Sequence, residues 1–449
     1  MSAIAKHLKH WIPRHRKLRF AIVFFIVVLC IGAGCWRWVW VSWQLHVAQQ
    51  QLRSGELDAA LATMKSAEQI QPERPELLFT LGRAHRRAGN LQQAMPYFLR
   101  AFEGGWSAED VRHQRYLAVI QTGRFDQAGP YLQDVLATKT EDELAYEVYE
   151  AIARGHMSTY HFKDALLCLN HFIAWRSDAI TPLLWRADIH ERLHNWQGGH
   201  DDYKAILSLR PDQLTARRGL ADCLLELQKA KAALTEYQHC LEADPDDIPA
   251  QLGAANAHWM LGNSAEAERG FRTLQNSELL PDIQVEVSKG LAQAAIVNKQ
   301  YQRAVEHLYE ALRIRPCDGP ATHLLGTAYS KMGKLEEAKQ QLEKAKLYTE
   351  QISRFAEITQ QLFEHPNDAD LRWEAGSILT RQGDEKNGTA WMETALLVDP
   401  HHKKTHESLA DYYSRSNQPE LAARHRQMLD NLETTAADRH SAGLKDAAP

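Results

Sequence analysis

The chain has 449 residues, 44% hydrophobic and 24% charged, a balance typical of globular proteins with enough apolar material for a core. The net charge of −5 is unevenly spread, because residues 1–40 contain seven lysines and arginines and no acidic residue. The remaining body is therefore acidic, which argues against general nucleic-acid binding. The six scattered cysteines include no CxxC pair, which predicts free thiols rather than a disulfide or metal framework.

The first predicted element is a membrane-spanning helix. Phe20 to Trp36 contains seventeen residues without a charge, and a helix of this length, roughly 25 Å, just crosses the hydrocarbon core of a bilayer. Arg37 and a group of tryptophans follow, as expected for an interfacial belt. We therefore predict a basic cytoplasmic N-terminus at residues 1–19 and a transmembrane signal anchor at residues 20–41. The tryptophans of the belt are Trp36, Trp38, Trp40 and Trp43.

The charges around this segment predict its orientation. Many more lysines and arginines precede it than closely follow it, so the positive-inside rule keeps the N-terminus in the cytoplasm and exports the body. We predict a single-pass protein of the inner (cytoplasmic) membrane, with its body in the periplasm or an equivalent extracytoplasmic space. Three alternatives stay open: signal-peptide removal, lipoprotein processing at Cys35 in the segment Gly32–Cys35, and a body that faces the cytoplasm.

After the anchor, one helical pattern recurs along nearly the whole chain, with little proline inside its apolar runs and no long β-branched alternation. Its clearest copy is Gly319–Glu350, where two amphipathic helical patterns are separated by Gly333, a predicted turn residue. Small residues at Gly326 and Ala338 would let the two helix backbones approach closely. The pattern predicts an all-α chain of helix hairpins.

The hairpin pattern repeats about eleven times, and markers such as Pro211 and Pro245, or Pro366 and Pro400, lie 34 residues apart. This spacing and unit resemble the tetratricopeptide repeat (TPR) family. The resemblance implies a right-handed superhelical solenoid, in which stacked hairpins bury each other's apolar stripes and first helices line a concave face. The predicted segments are repeats 1–9 at 42–347, an extra or lengthened helix at 348–366, repeats 10–11 at 367–430, and a disordered tail at 431–449.

One motif suggests a different function. His190, Glu191 and His194 form an HExxH sequence, which on a helix places two imidazoles and a general base for zinc hydrolysis. His190, however, occupies the repeat position of His85 and His258, where other units have leucine or tyrosine. We therefore predict that His190 packs inside its hairpin, and we keep a zinc-dependent hydrolase as the alternative.

Two further features of the sequence bear on metal binding and catalysis. His401, His402 and His406 could form a metal cluster, but an exposed loop after Pro400 is the simpler interpretation. No phosphate-binding glycine loop or nucleophile elbow is present in the sequence. We predict no enzyme activity, no cofactor and no metal.

The TPR resemblance also implies where a partner binds. Ligands of the family usually contact fixed positions of each first helix, and these positions fall on an apolar residue and several arginines in this acidic chain. The lysines and asparagines of the family's carboxylate clamp are absent. Forked guanidinium contacts favour an acidic or C-terminal carboxylate segment as the ligand. The alternative is that the arginines pair with glutamates of the same chain. The predicted partner-binding residues are Phe79, Arg83, Arg86, Arg87, Arg112, Arg115, Arg154 and Trp259.

Together these patterns predict a membrane-anchored, non-enzymatic TPR scaffold, which binds a partner protein or peptide on its concave face outside the cytoplasm. Envelope assembly, secretion and export are settings suggested by family analogy alone.

Overall fold

The computed structural model describes the backbone of residues 36–137 and 142–445, and the side chains of residues 36–131 and 144–434. These residues form 22 helices, and no strand occurs among them. The first helix, α1, covers residues 36–54. The other helices are α2 (Leu57–Ile70), α3 (Pro75–Arg87), α4 (Leu91–Glu103), α5 (Ala108–Gln121), α6 (Phe125–Ala137), α7 (Asp142–Ser158), α8 (Phe162–Trp175), α9 (Ile180–Arg192), α10 (Trp196–Leu209), α11 (Leu214–Glu226), α12 (Ala230–Ala243), α13 (Ile248–Met260), α14 (Ser264–Gln275), α15 (Pro281–Val297), α16 (Tyr301–Ile314), α17 (Gly319–Lys331), α18 (Leu335–Glu364), α19 (Ala369–Arg381), α20 (Glu385–Val398), α21 (Lys403–Arg415) and α22 (Pro419–Lys445).

Each odd-numbered helix is joined to the next even-numbered helix by a tight turn in which one residue has a positive φ. Gly333 is one of them, with φ of 80°, as the sequence predicted for a turn residue. Successive turn residues such as His194, Gln228 and Gly262 lie 34 residues apart. The described residues therefore contain the eleven hairpins that the repeat pattern predicted. The eleven turn residues are Gly55, Gly89, Gly123, Tyr160, His194, Gln228, Gly262, Lys299, Gly333, Gly383 and Asn417.

Small residues bring the helices of each hairpin close together. A Cβ atom at Gly326 would lie 2.8 Å from Leu342 Cγ and 3.2 Å from the Ala338 carbonyl oxygen, so α17 and α18 approach as predicted. A small residue also lets consecutive hairpins approach closely, because a Cβ at Gly253 in α13 would overlap the ring of Tyr237 in α12, the second helix of the preceding hairpin. Stacking of hairpins thus buries the apolar stripe that one hairpin alone would expose.

α18 breaks the regular spacing. It has 30 residues, against 14 in α16 and in α20. The turn residues on either side of it, Gly333 and Gly383, are 50 residues apart instead of 34. The excess in spacing equals the excess in helix length, so the segment predicted as an extra or lengthened helix continues α18 without a turn.

The described residues form two compact units that divide between Ala151 and Ile152. In the first unit, apolar residues of α1 such as Leu45 and Leu52 pack against α2 and α3. In the second unit, the core runs through successive hairpins and includes Tyr203, Tyr237 and the thiols of Cys223 and Cys240. All four cysteines among the described residues are free. Cys223 and Cys240 are buried, while Cys168 and Cys317 are half-buried.

Within the second unit, the turn between α7 and α8 packs against α19 and α20. Arg372 of α19 is fully buried and donates to the carbonyl oxygens of Thr159 and Pro366, at 2.6 Å each. The ring of Tyr160 stacks on Trp391 with centroids 3.7 Å apart. These contacts join helices that are far apart in the repeat order.

The two ends of the described residues bear on the predicted tail and on the predicted anchor. The backbone of α22 is helical to Lys445, whereas the sequence predicted a disordered tail from residue 431; alanine and leucine in this stretch favour a helix despite its polar character. No helix in the described residues is long and apolar enough to cross a membrane. Most of the predicted anchor, residues 20–35, lies outside the described residues.

Candidate partner-binding surface

Two of the predicted arginines share one buried carboxylate. Arg83 donates from Nε to Glu147 Oε1 at 2.9 Å, and Arg86 forms an ion pair with the other oxygen of the same carboxylate. Gln114 of α5 lies between them, accepting from Arg86 Nε at 2.7 Å and donating to Glu147 at 2.8 Å. Arg86 is fully buried and Glu147 almost fully. The side chains of α3, α5 and α7 are thus joined through one network.

Arg87 extends this network with a forked pair. Its Nε and Nη2 atoms each donate to an oxygen of Glu150 at 2.7 Å, and Nη1 donates to the carbonyl oxygen of Leu52 at 2.6 Å. The guanidinium also lies over the ring of Tyr146, 5.5 Å from its centroid. Both charged partners are buried, so the pair bridges α3 and α7 in the interior.

Neighbouring charges favour the ionised state of Glu147 and of Arg87, whereas burial lowers the pKa of Arg86. Burial by itself would raise the pKa of Glu147, but Arg83, Arg86 and Arg87 overcome that effect and lower its pKa far below the usual range. Burial likewise opposes the charge on Arg87, and Glu150 overcomes it and raises the pKa of that guanidinium. In this arrangement Arg86 and Arg87 direct their charges at glutamates of the same chain.

Phe79 belongs to the packed interior beside this network. It is buried, its ring stacks on Trp106 at a centroid distance of 4.9 Å, and it contacts the ring of Phe98 at 5.9 Å. These contacts join the second hairpin to the start of the third. The ring of Phe79, which the sequence predicted as part of the partner-binding surface, is therefore covered by neighbouring aromatic rings.

Arg112 and Arg115 have a different environment. Both side chains are exposed on α5, and neither has a hydrogen bond or ion pair to any other described residue. They line a groove of about 860 Å³ between α4 and α5, whose other lining residues are largely apolar. Their guanidinium groups are therefore without a partner among the residues whose side chains are described. The rest of the lining is Gln92, Met95, Pro96, Phe98, Leu99, Phe102, Ala108 and Val111.

The last two predicted residues lie in the second unit. The guanidinium of Arg154 lies 4.8 Å from the ring centroid of Trp185. Trp259 is half-buried and packs with Leu252 against the cluster around Phe271. The eight predicted residues are thus distributed over a buried network, an open groove and two places in the second unit. Their role in partner binding stays a prediction.

The HExxH residues do not share one helix. α9 ends at Arg192, and His194 is the turn residue of its hairpin, with φ of 54°. The ring of His190 packs on Gly198, where a Cβ would lie 2.8 Å away, and Glu191 accepts a hydrogen bond from Tyr203 at 2.8 Å. His190 therefore packs between the helices of its hairpin. The second histidine of the motif, His194, is not on the same helix but in the loop that follows it.

The other histidine cluster is also engaged in contacts within the chain. His406 is buried, with Nε2 at 2.9 Å from the Pro400 carbonyl oxygen and Nδ1 at 2.9 Å from Nδ1 of His425. His402 Nδ1 lies 2.6 Å from Thr405 Oγ1. Over the side chains that the structure describes, no three histidine, cysteine or acidic residues lie together as a metal site would require.

Sequence reasoning did not identify the carboxylates that neutralise α3, nor the groove between α4 and α5. Glu147 and Glu150 lie more than 60 residues after their arginine partners, and no local pattern connects them. The groove did leave a signal, because Met95, Leu99 and Phe102 place apolar residues one helical turn apart on α4.

Comparison with known proteins bears on the repeat itself. The tetratricopeptide repeat family matches residues 48–109, 186–248, 252–318 and 295–362, which together cover more than half of the chain. The chain belongs to the tetratricopeptide repeat family. Membership of this family supports a role of the chain as a scaffold for protein–protein interaction.

Comparison with solved structures gives matches at low sequence identity. One is a tetratricopeptide repeat protein from Parabacteroides merdae ATCC 43184, with 16% identity over 68% of this chain and 98% of that one, and a TM-score of 0.32. A second is PilW, a widely conserved type IV pilus biogenesis factor, with 15% identity over 45% and 91% and a TM-score of 0.39. A third is yeast Tom70, with 13% identity over 91% and 96% and a TM-score of 0.32.

Proposed function

We propose that this chain is a membrane-anchored, non-enzymatic scaffold that holds a partner protein or peptide outside the cytoplasm. One observation supports the anchor: Trp36, Trp38 and Trp43 are exposed by 58–69% at the N-terminal end of α1. Large exposed aromatic residues are unusual on a soluble surface, and tryptophan favours the headgroup region of a bilayer. Trp36 ends the charge-free segment that we interpret as the span, and Trp38 and Trp43 follow it.

The rest of α1 belongs to the first hairpin. Val41, Leu45, Ala48 and Leu52 are buried against α2 and α3, on the same helix that presents the tryptophans. Because no linker separates the two parts of α1, the proposed anchor would hold the first hairpin close to the membrane. The basic residues before the span favour export of the body, and its acidic charge favours a protein partner over nucleic acid.

Quenching of tryptophan fluorescence by brominated lipids tests the anchor. The full-length chain is reconstituted into vesicles, and a variant with Trp36, Trp38 and Trp43 all replaced by phenylalanine is compared with it. We expect the triple variant to lose most of the lipid-dependent quenching. The matched control is Trp175→Phe, which removes a partly exposed tryptophan of the second unit and should leave quenching unchanged. Equal quenching of all three proteins would contradict the proposal.

The side of the membrane is tested separately. An alkaline phosphatase reporter fused after Pro449 should be active in intact bacterial cells if the body is exported. An inactive reporter, together with protection of the body from protease after outer-membrane permeabilisation, would instead place the scaffold in the cytoplasm.

A further inference from the structure

The groove between α4 and α5 has an unusual floor. Met95, Leu99 and Phe102 follow each other at helical spacing along α4 and are exposed by 37%, 57% and 50%. Val111 and Phe98 continue the apolar lining toward the interior. A contiguous apolar surface of this kind on a protein is typical of an interaction site.

The other hairpins show that the repeat does not require this floor. Leu99 is the ninth residue of α4, and the ninth residue of most other second helices is polar and exposed. The partial exception is α16, where Tyr309 stands at this position and its hydroxyl lies 2.7 Å from that of Tyr329. The exposed polar residues at this place are Lys65, Asn170, Lys204, Gln238, Arg272, Glu343, Glu393 and Gln427. A leucine at this place is therefore not needed for hairpin packing.

The rim of the groove carries positive charge. Arg112 and Arg115 line it from α5 and are unpaired among the described residues, in an otherwise acidic chain. Guanidinium groups recognise carboxylates through forked hydrogen bonds. Two arginines are fewer than the four to eight basic residues typical of binding to anionic membranes, so the charges favour a protein ligand.

We propose that the groove between α4 and α5 binds an amphipathic helix of a partner protein, whose apolar side chains face Met95, Leu99 and Phe102 and whose flanking aspartates or glutamates pair with Arg112 and Arg115. An apolar helix face laid into an apolar groove is a common mode of peptide recognition. This inference rests on the scaffold role proposed above and names the chemistry of its partner, but it does not require the membrane anchor.

The test uses the full-length chain in nanodiscs of neutral phosphatidylcholine. The probe is a fluorescein-labelled helical peptide with leucines on one face and glutamates beside them, and binding is followed by fluorescence anisotropy. Two matched peptides replace the glutamates by lysines or the leucines by serines. We expect only the acidic, leucine-containing peptide to bind, and its affinity to fall as salt is raised, because exposed charges are screened.

Three protein variants locate the binding surface. Leu99→Lys and the pair Arg112→Ala with Arg115→Ala should each weaken binding by about tenfold or more, equivalent to about 1.4 kcal/mol. Leu99→Lys should fold normally, since Lys204 occupies the same position in α10. The control is Arg269→Ala, which removes an exposed arginine of α14 and should leave the affinity unchanged.

Other outcomes would overturn the proposal. One is equal binding of the acidic and basic peptides, and another is binding that Leu99→Lys does not affect. A third is a Leu99-dependent gain in binding to anionic vesicles, which would assign the groove to a membrane surface. A fourth is a Leu99-dependent dimer in sedimentation, which would assign it to a second copy of the chain. Failure of the brominated-lipid test alone would affect only the proposed anchor.

Discussion

Two neighbouring first helices place their arginines in opposite environments. On α3, Arg86 and Arg87 are buried against Glu147 and Glu150 of α7. On α5, Arg112 and Arg115 are exposed and have no partner among the described residues. Both pairs lie on first helices of the same repeat family, so the local sequence does not distinguish them. The difference comes from carboxylates of α7, which pair with the arginines of α3 and not with Arg112 or Arg115 of α5.

The buried network and the exposed pair therefore have different consequences. Charges that are removed from water are costly, and an ion pair in the interior is not more stable than well-packed apolar residues would be. Once the charges are buried, however, each depends on the other for its stability. The arginines of α3 join α3 to α7, whereas those of α5 have no partner among the described residues, so we expect their removal to leave the fold unaffected.

The largest expected effect is that of Glu147→Gln. This change keeps the shape of the side chain but leaves Arg83 and Arg86 without their common counter-charge in the interior. Breaking one partner of a buried pair costs about 3–5 kcal/mol. Hydrogen exchange of the amides in α3 and α7 should show this loss as a lower free energy of local opening. The method is chosen because a repeat protein does not unfold as one unit.

A surface control separates charge loss from loss of the network. Glu109 is exposed on α5, and Glu109→Gln should change exchange in α3 and α7 by no more than about 0.5–1 kcal/mol. If Glu147→Gln has as small an effect as this control, the network does not hold the helices together.

The next largest effect is the recovery of stability when both partners of the Arg87–Glu150 pair are replaced together. Glu150→Leu alone should cost about 3 kcal/mol or more, because it leaves the charge of Arg87 buried and unpaired. The double variant Glu150→Leu with Arg87→Met should lose less than half of that, because no unpaired charge remains. The same exchange measurement on α3 and α7 gives both values, and strict additivity of the two single changes would contradict direct pairing.

The repeat architecture could be predicted from the sequence because its signals are local. Gly326 and Ala338 allow close approach inside one hairpin, and turn residues such as Gly333 recur at the same place in each unit. A non-glycine turn residue such as His194 is less visible, which is why its neighbours resemble a zinc motif. Most hairpins use the same local contacts and the same turn position. The 34-residue period is therefore enough to predict the series of hairpins from the sequence.

The candidate site could be predicted only in part, because burial of an arginine is decided by distant residues. The partners of Arg86 and Arg87 lie on α7, and one complete hairpin, α5 and α6, separates α7 from the hairpin that contains α3. The charge pattern of α3 alone favours a binding surface equally well. The exposure of Leu99 likewise depends on what packs beside α4. The spacing of apolar residues along one helix does not predict that packing.

Acid should weaken the network by a smaller and gradual amount. The pKa of Glu147 is lowered by its arginine neighbours, so its contribution is fully present above the pKa of an unfolded glutamate, about 4.3. That contribution is lost as the pH falls from there toward the lower pKa of the folded state. The opening free energies of α3 and α7, from hydrogen exchange, should therefore converge between the unchanged protein and Glu147→Gln as the pH falls below about 4. A constant difference from pH 7 down to pH 3 would show that Glu147 does not titrate in this way.

The smallest expected effect belongs to the exposed pair. Arg112→Ala and Arg115→Ala should each leave the opening free energy of α3, α5 and α7 within about 0.5 kcal/mol of that of the unchanged protein, as for most surface substitutions. Neither side chain has a carboxylate or carbonyl partner among the described residues, so its removal leaves no buried group unsatisfied.

Arg86→Ala is the matched contrast, because it removes the same side chain from the neighbouring first helix. It should destabilise α3 and α7 severely, since Glu147 then loses one of its two arginines and Gln114 loses its donor. If Arg112→Ala or Arg115→Ala proves comparably destabilising, these arginines support the fold after all, and the groove on α4 and α5 loses the charges that would select an acidic partner.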